Sequence, residues 1–296
     1  MARRLKSALS LLQTTFRGWL DHDGLRLGAS LAYYTVFAIA PLFLMTLAIA
    51  GLWFGEEAAR RELFAQLGGL VGREGGAAIQ ALLANAGQPK AGAWATTVAL
   101  VTLLIGATGV FVQLQDALNT IWEVRQRARS GVWHFIRARL LSFAMILAVG
   151  FLLLVSLIIS AGLAAAGKFM SGLIPAHEIF WQTANFIISF GLITALLALI
   201  FKYLPDVKIK WRDVWLGAVF AALLFNFGKF ALGFYLGRAA VTSAYGAAGS
   251  LVIILLWVYY SSQTLFLGAE FTRAIAKARG HKSPSAQSQR TISAAS

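Results

Sequence analysis

GLRLGASLAYYTVFAIAPLFLMTLAIAGLWFG, residues 24–55, is the stretch whose reading decides the fold. After Arg26 it carries no charge, and Leu27 to Phe54 is a run of 28 uncharged residues. A helix rising ~1.5 Å per residue needs only ~20 residues to cross ~30 Å of hydrocarbon, so this stretch is expected to span a membrane. It is not a plain anchor. Ser30, Tyr33, Tyr34 and Thr35 place hydroxyls in its first third, and Pro41 sits near its middle. Pro41 has no N–H and its ring crowds the carbonyl of Phe37, which predicts a kink and a backbone acceptor in need of another partner.

The rest of the chain has the same character. Hydrophobic residues make up 58% of the 296 positions and charged residues 13%, the composition of a chain whose solvent is largely lipid. Further apolar runs at about 93–121, 140–166, 180–201, 214–236 and 250–268 bring the expected spans, with 27–54, to six. Residues 1–22 place Leu5, Leu9, Leu12, Phe16 and Trp19 at helical spacing among Arg3, Arg4, Lys6 and Arg17, the pattern of a cytoplasmic amphipathic helix lying in the membrane interface. Leu9 to Leu12 is too short for the apolar core of a signal peptide and no small-x-small site follows, so this segment is expected to remain in the mature chain. Glu56 to Gly92 alternates charged and apolar residues and reads as one or two short helices in the first external loop, broken around Gly75-Gly76. The fold expected is therefore all-α: a six-span domain over 23–279, preceded by the interfacial helix and followed by a polar, disordered cytoplasmic tail over 280–296.

Charge distribution gives the orientation. The net charge of +14 would suggest nucleic acid in a soluble protein. Here the N-terminal segment through Arg26, residues 123–139, residues 202–213 and the chain from Arg273 onward hold five, five, four and five Lys or Arg, 19 of the 26 present. All four fall on one side of a six-span arrangement, which sets both termini in the cytoplasm and accounts for most of the basicity without nucleic acid. With no cysteine, thiolate chemistry and disulfides are excluded. The four histidines, at 22, 134, 177 and 281, show no metal-ligand spacing. Neither a metal nor a cofactor is expected.

Polar residues within the spans are costly in hydrocarbon and mark interior faces or wet cavities. On the fifth span Ala218, Ala222, Asn226, Lys229, Gly233 and Gly237 recur every three or four residues, setting a cation beside a carboxamide near mid-membrane. The sixth offers Tyr259, Tyr260, Ser261, Ser262, Gln263 and Thr264 at similar depth and Glu270 toward its cytoplasmic end. Tyr34, Pro41, Asn226, Lys229, Tyr259, Gln263 and Glu270 are the candidate substrate-binding set. Small-residue strips also serve close helix packing, and Ser, Thr, Asn and Gln in membranes commonly bond across helices without transport.

GASLAYYTVFAIAPLFL, ALNTIWEVR, the YLPDVKIKWRDVWLGAVFAALLFNFGKFALGFYL region and YGAAGSLVIILLWVYYSSQTLFLGAEF occur in that order, and together they resemble the YihY/BrkB family of bacterial inner-membrane proteins, once labelled ribonuclease BN. The resemblance runs from about Leu12 to Ala276 and implies a six-spanning architecture. The matching positions include Ser30, Ala32, Tyr33, Pro41, Asn119, Trp122, Pro205, Gly217, Lys229, Tyr235, Trp257, Tyr259, Gly268 and Glu270. Where the family often has Ser-Leu-Phe before the proline, this chain has Ala38-Ile39-Ala40.

Three functional readings follow. A transporter or translocator of an amphiphilic or anionic, lipid-related solute requires a polar cavity between spans one, five and six, with Lys229 attracting an anionic group. A scaffold for envelope partners requires instead that the polar faces be filled by interhelical contacts. A ribonuclease requires clustered acids or histidines. Asp206 and Asp213, set among Lys208, Lys210 and Arg212, read rather as a solvated juxtamembrane loop. A non-enzymatic transporter in contact with membrane lipids is the expectation, with the scaffold as its alternative.

Overall fold

Apolar runs of span length satisfy all their backbone groups within lipid by forming helices. In the computed structural model, residues 2–55, 109–124, 177–238 and 249–280 are described, together with nine positions between 57 and 80. Among the described residues all regular structure is helical. Helix α1 covers Ala2–Asp21, α2 Gly24–Phe54, α3 residues 109–121, α4 His177–Tyr203, α5 Trp211–Arg238 and α6 Gly249–Ala278. The positions described between 57 and 80 are helical as well. The run at 140–166, the first part of that at 93–121, the Gly75-Gly76 break and the tail beyond Gly280 lie outside the described residues.

By length and composition, three helices among the described residues are able to cross a membrane, over Phe186–Tyr203, Trp211–Tyr235 and Leu251–Ala278. They correspond to the runs read at 180–201, 214–236 and 250–268. Helix α2 continues through Pro41 to Phe54, 31 residues or about 46 Å of helix. Helix α6, with 30 residues, extends ten beyond the apolar run that ends at Gly268. Those ten carry Glu270, Arg273 and Lys277, so the charged end of α6 exceeds what the hydrocarbon core requires.

The breaks between helices have local causes. His22 and Asp23 form the turn between α1 and α2, with Asp23 in the left-handed conformation at φ 54° and its carboxylate 3.0 Å from Arg26. Helix α4 stops two residues before Pro205, which lacks the N–H a further turn would need. Helix α3 ends in a Schellman arrangement: Val124 N–H donates to the Asn119 carbonyl at 2.9 Å and Glu123 N–H to that of Thr120 at 3.0 Å. Glu123 takes the left-handed position usually given to glycine, at φ 52°.

The chain divides into two compact units. The first comprises Met1–Thr15, Leu118–Leu223 and Gly268–Ser296, and the second Phe16–Ala117 and Leu224–Leu267. In the first, α5 and α6 pack with backbones almost in contact: a Cβ added to Gly217 would stand 2.8 Å from the Gly268 carbonyl oxygen, and one added to Gly268 would stand 2.5 Å from Ala221 Cβ. Phe220 and Phe271 stack beside that contact, centroids 4.4 Å apart. Lipid tails are as apolar as leucine, so such close approach and the dispersion it brings replace the hydrophobic effect as the force holding spans together. The core of the second unit is Ile79, Ile253, Ile254 and Trp257, with Val36, Phe225 and Leu232 against it.

Candidate functional site

Of the seven residues proposed from the sequence, Tyr34, Pro41, Asn226, Lys229, Tyr259 and Gln263 belong to the second unit, and Glu270 belongs to the first. The two sets are chemically unlike.

In the second unit Gln263 is the most enclosed of the five whose side chains are described, Pro41 lying outside them. It is buried, its Oε1 accepts a hydrogen bond from Trp19 Nε1 at 2.9 Å, and its Nε2 lies against Gly28, where any Cβ would collide with it. That Nε2 has no acceptor among the described residues. Tyr260, one helical neighbour away from the proposed Tyr259, donates its hydroxyl to the Leu224 carbonyl at 2.7 Å across from α6 to α5, and its ring occupies the space over Gly228. Tyr34 is partly exposed and packs against Gly109, whose added Cβ would be 2.9 Å from its ring. Tyr33, beside it, meets Phe37 edge-on at 4.9 Å.

Helix α5 sorts its residues by direction. Phe227 and Phe230 are each 73% exposed and Phe234 is exposed with them, which marks the outward, lipid-facing side. Gly228 is buried beneath Tyr260, and Phe225 meets Trp257 at 5.3 Å on the inward side. Asn226, Lys229 and Gly233 are half-buried, and Lys229 lies about 200° round the helix from Phe227. The polar stripe read from the sequence thus runs along the flank between the packed face and the lipid face.

The hydroxyls offered by the sequence behave differently. Thr35 Oγ1 donates to the Leu31 carbonyl, Ser261 to Trp257, Ser262 to Val258 and Thr264 to Ser261, all at 2.7–2.8 Å. Their protons are used within their own helices, as is common for Ser and Thr in apolar surroundings.

Glu270 sits in a buried charge cluster of the first unit. It is 2% exposed, Arg273 is 7% exposed, and Arg273 Nη1 lies 3.4 Å from Glu270 Oε2. The other guanidinium nitrogen is paired with Glu123 at the end of α3, and Lys277 Nζ stands 3.6 Å from the same Glu123 oxygen. Asp213, read as solvated, is instead 2% exposed in the first turn of α5 and paired with Arg279. Its acid also faces the positive end of that helix. Asn119, buried at the end of α3, accepts from the Asp206 N–H at 2.8 Å and donates to the Asp206 carboxylate at 3.1 Å, fixing the α4–α5 loop. The spacing Glu270-x-x-Arg273 is visible in the sequence, but the third member, Glu123, lies 150 residues away.

Comparison with known proteins places this architecture. A family profile described as Virulence factor BrkB matches residues 15–292, nearly the whole chain. The chain belongs to this family. Among its BrkB relatives, a UPF0761 membrane protein of Verminephrobacter eiseniae is 28% identical over 271 residues, covering 90% of this chain and 61% of that protein. One from Methylibium petroleiphilum is 28% identical over 292 residues, 89% of this chain and 65% of its own. A third, from Paraburkholderia xenovorans, is 31% identical over 183 residues. The chain therefore spans less than two thirds of the length of these relatives, and like them it is an integral membrane protein. No solved structure matches it.

Proposed function

We propose that this BrkB-family chain is a six-span protein of the bacterial inner membrane, with both termini cytoplasmic, that moves or helps move an amphiphilic or anionic, lipid-related solute. The observation that carries the reading is the position of Asn226 and Lys229 on the flank of α5, half-buried between the packed side and the exposed phenylalanines. A cation at that depth is expensive unless it meets water, a carboxylate or an anionic ligand. Gln263, whose amide nitrogen has no acceptor among the described residues, adds a buried donor in the same compact unit. The solute's anionic group would meet Lys229 and its apolar part the phenylalanine side.

Reconstitution tests the proposal. Vesicles holding the protein are expected to translocate a labelled anionic lipid or amphiphile faster than empty vesicles. Lys229→Ala should slow this by roughly tenfold or more, as the loss of a charge-assisted contact predicts, and Lys229→Arg should retain most of it. Rates equal to those of empty vesicles across a broad panel of amphiphiles would sink the idea.

The scaffold reading is favoured by a separate observation. Trp19 to Gln263 and Tyr260 to the Leu224 carbonyl are interhelical bonds of the kind that fill a bundle without leaving a path. Crosslinking in intact membranes discriminates: a stable, stoichiometric protein partner supports the scaffold, and its absence together with solute movement supports transport.

A further inference from the structure

The α4–α5 corner holds four bases and two acids, Lys202, Asp206, Lys208, Lys210, Arg212 and Asp213. The fold treats them unequally. Asp213 is withdrawn from the surface and paired with Arg279. Asp206 is held by Asn119 through both its backbone N–H and its carboxylate. Lys202 turns inward, its Nζ donating to the Ile209 carbonyl and lying 5.7 Å from the centre of the Trp211 ring. Lys208, Lys210 and Arg212 remain exposed within five residues of one another. The exposed charges of the corner are therefore three bases against one acid, Asp206, which Asn119 holds, on a loop fixed by the buried Leu204, Pro205 and Ile209.

Its aromatic and apolar neighbours are equally ordered. Tyr203 and Trp211 meet edge to face at 6.0 Å, and both are exposed. From Trp211, exposed Trp215, Val219 and Leu223 follow at every fourth residue of α5, with Leu216 beside them. Twelve residues of helix make an apolar track of about 18 Å running away from the bases. A cationic end, an aromatic collar and an apolar track in that order match an anionic phospholipid: phosphate, glycerol region and acyl chain.

We propose that this corner is a phospholipid site, in which Lys208, Lys210 and Arg212 take the phosphate of an anionic phospholipid, Tyr203 and Trp211 flank its glycerol region, and Trp215, Val219 and Leu223 carry an acyl chain. The site stands whether or not Lys229 serves transport, since every residue in it belongs to the first compact unit and Lys229 to the second. It commits to a lipid, because free phosphate would use the bases and leave the track idle.

The experiment takes the full chain in neutral detergent and follows thermal unfolding on addition of dioctanoyl phosphatidylglycerol, dioctanoyl phosphatidylcholine or inorganic phosphate. Phosphatidylglycerol is expected to raise the unfolding temperature, while the other two at equal concentration leave it unchanged. The exposed triple variant Lys208→Gln/Lys210→Gln/Arg212→Gln should unfold like the parent without lipid, yet need on the order of a hundredfold more phosphatidylglycerol for the same shift. Arg212→Gln alone should need about fivefold more. A triple variant that responds like the parent overturns the proposal, as does an equal response to phosphatidylcholine. An equal response to inorganic phosphate overturns it too, by making the corner a plain anion site.

Discussion

In the first compact unit Arg273 lies between the carboxylates of Glu123 and Glu270. In the second, Gln263 takes one hydrogen bond from Trp19 and sets its amide nitrogen against Gly28. Both arrangements bury polar groups, and they do so with different chemistry. Full charges appear where α6 has passed the length that hydrocarbon requires, and neutral amides and phenols appear along its apolar run. The glycines follow the same division. Gly217 and Gly268 bring two helix backbones together, whereas Gly28 and Gly228 make room for the side chains of Gln263 and Tyr260. The first unit is fastened by groups that cannot lose a partner cheaply, and the second by contacts that can rearrange.

The largest test of that contrast is Arg273→Met. It takes the Arg273 guanidinium away from the buried Glu270 carboxylate, which is expected to cost about 3–5 kcal/mol. Detergent-induced unfolding measures it, and a loss below about 1 kcal/mol would remove the cluster from its fastening role. Next comes Gly268→Ala, where the new methyl meets Ala221 and the Phe201 ring, for an expected loss of about 1–3 kcal/mol. Gly28→Ala meets only the end of a flexible glutamine, so its effect should be nearer the ~1 kcal/mol of one displaced hydrogen bond. If the two alanine variants prove equally destabilising, the division between backbone contact and side-chain accommodation fails. Gln263→Leu sharpens the comparison further. It is expected to change stability by less than about 1 kcal/mol while slowing solute movement, because polar contacts within spans average only ~0.6 kcal/mol. Smallest of all should be Arg26→Gln, since the Arg26–Asp23 pair is well exposed: within about 0.5 kcal/mol of the parent.

The last three spans were legible in the sequence because hydrocarbon imposes a length and tolerates few charges. The helices around 180–201 and 214–236 exceed those bounds by only two or three residues at each end. Side-chain partners were less so. Asp213 sits among bases that are exposed, and nothing in its neighbourhood signals that it turns inward to Arg279, 66 residues on. Glu270 shares a helix with Gln263, and the sequence pattern assigns both to one site; its partner Glu123 becomes visible only when distant segments are brought together. Ser261, Ser262 and Thr264 had the right depth to line a cavity, but a hydroxyl at that depth bonds equally well to its own helix, and here each does.

Glu123 sits where two requirements oppose each other. Its backbone occupies a conformation that glycine adopts freely and that costs another residue roughly 1–2 kcal/mol, while its carboxylate joins α3 to α6 through Arg273 and Lys277. A glycine there would suit the chain path and sever the link between the two helices; an alanine would keep the strain and sever it as well. The usual ranking of substitutions is thereby inverted at this one corner, with glycine the milder change and alanine the harsher. The acid is kept at the end of α3 by what it reaches, against what its own backbone would choose.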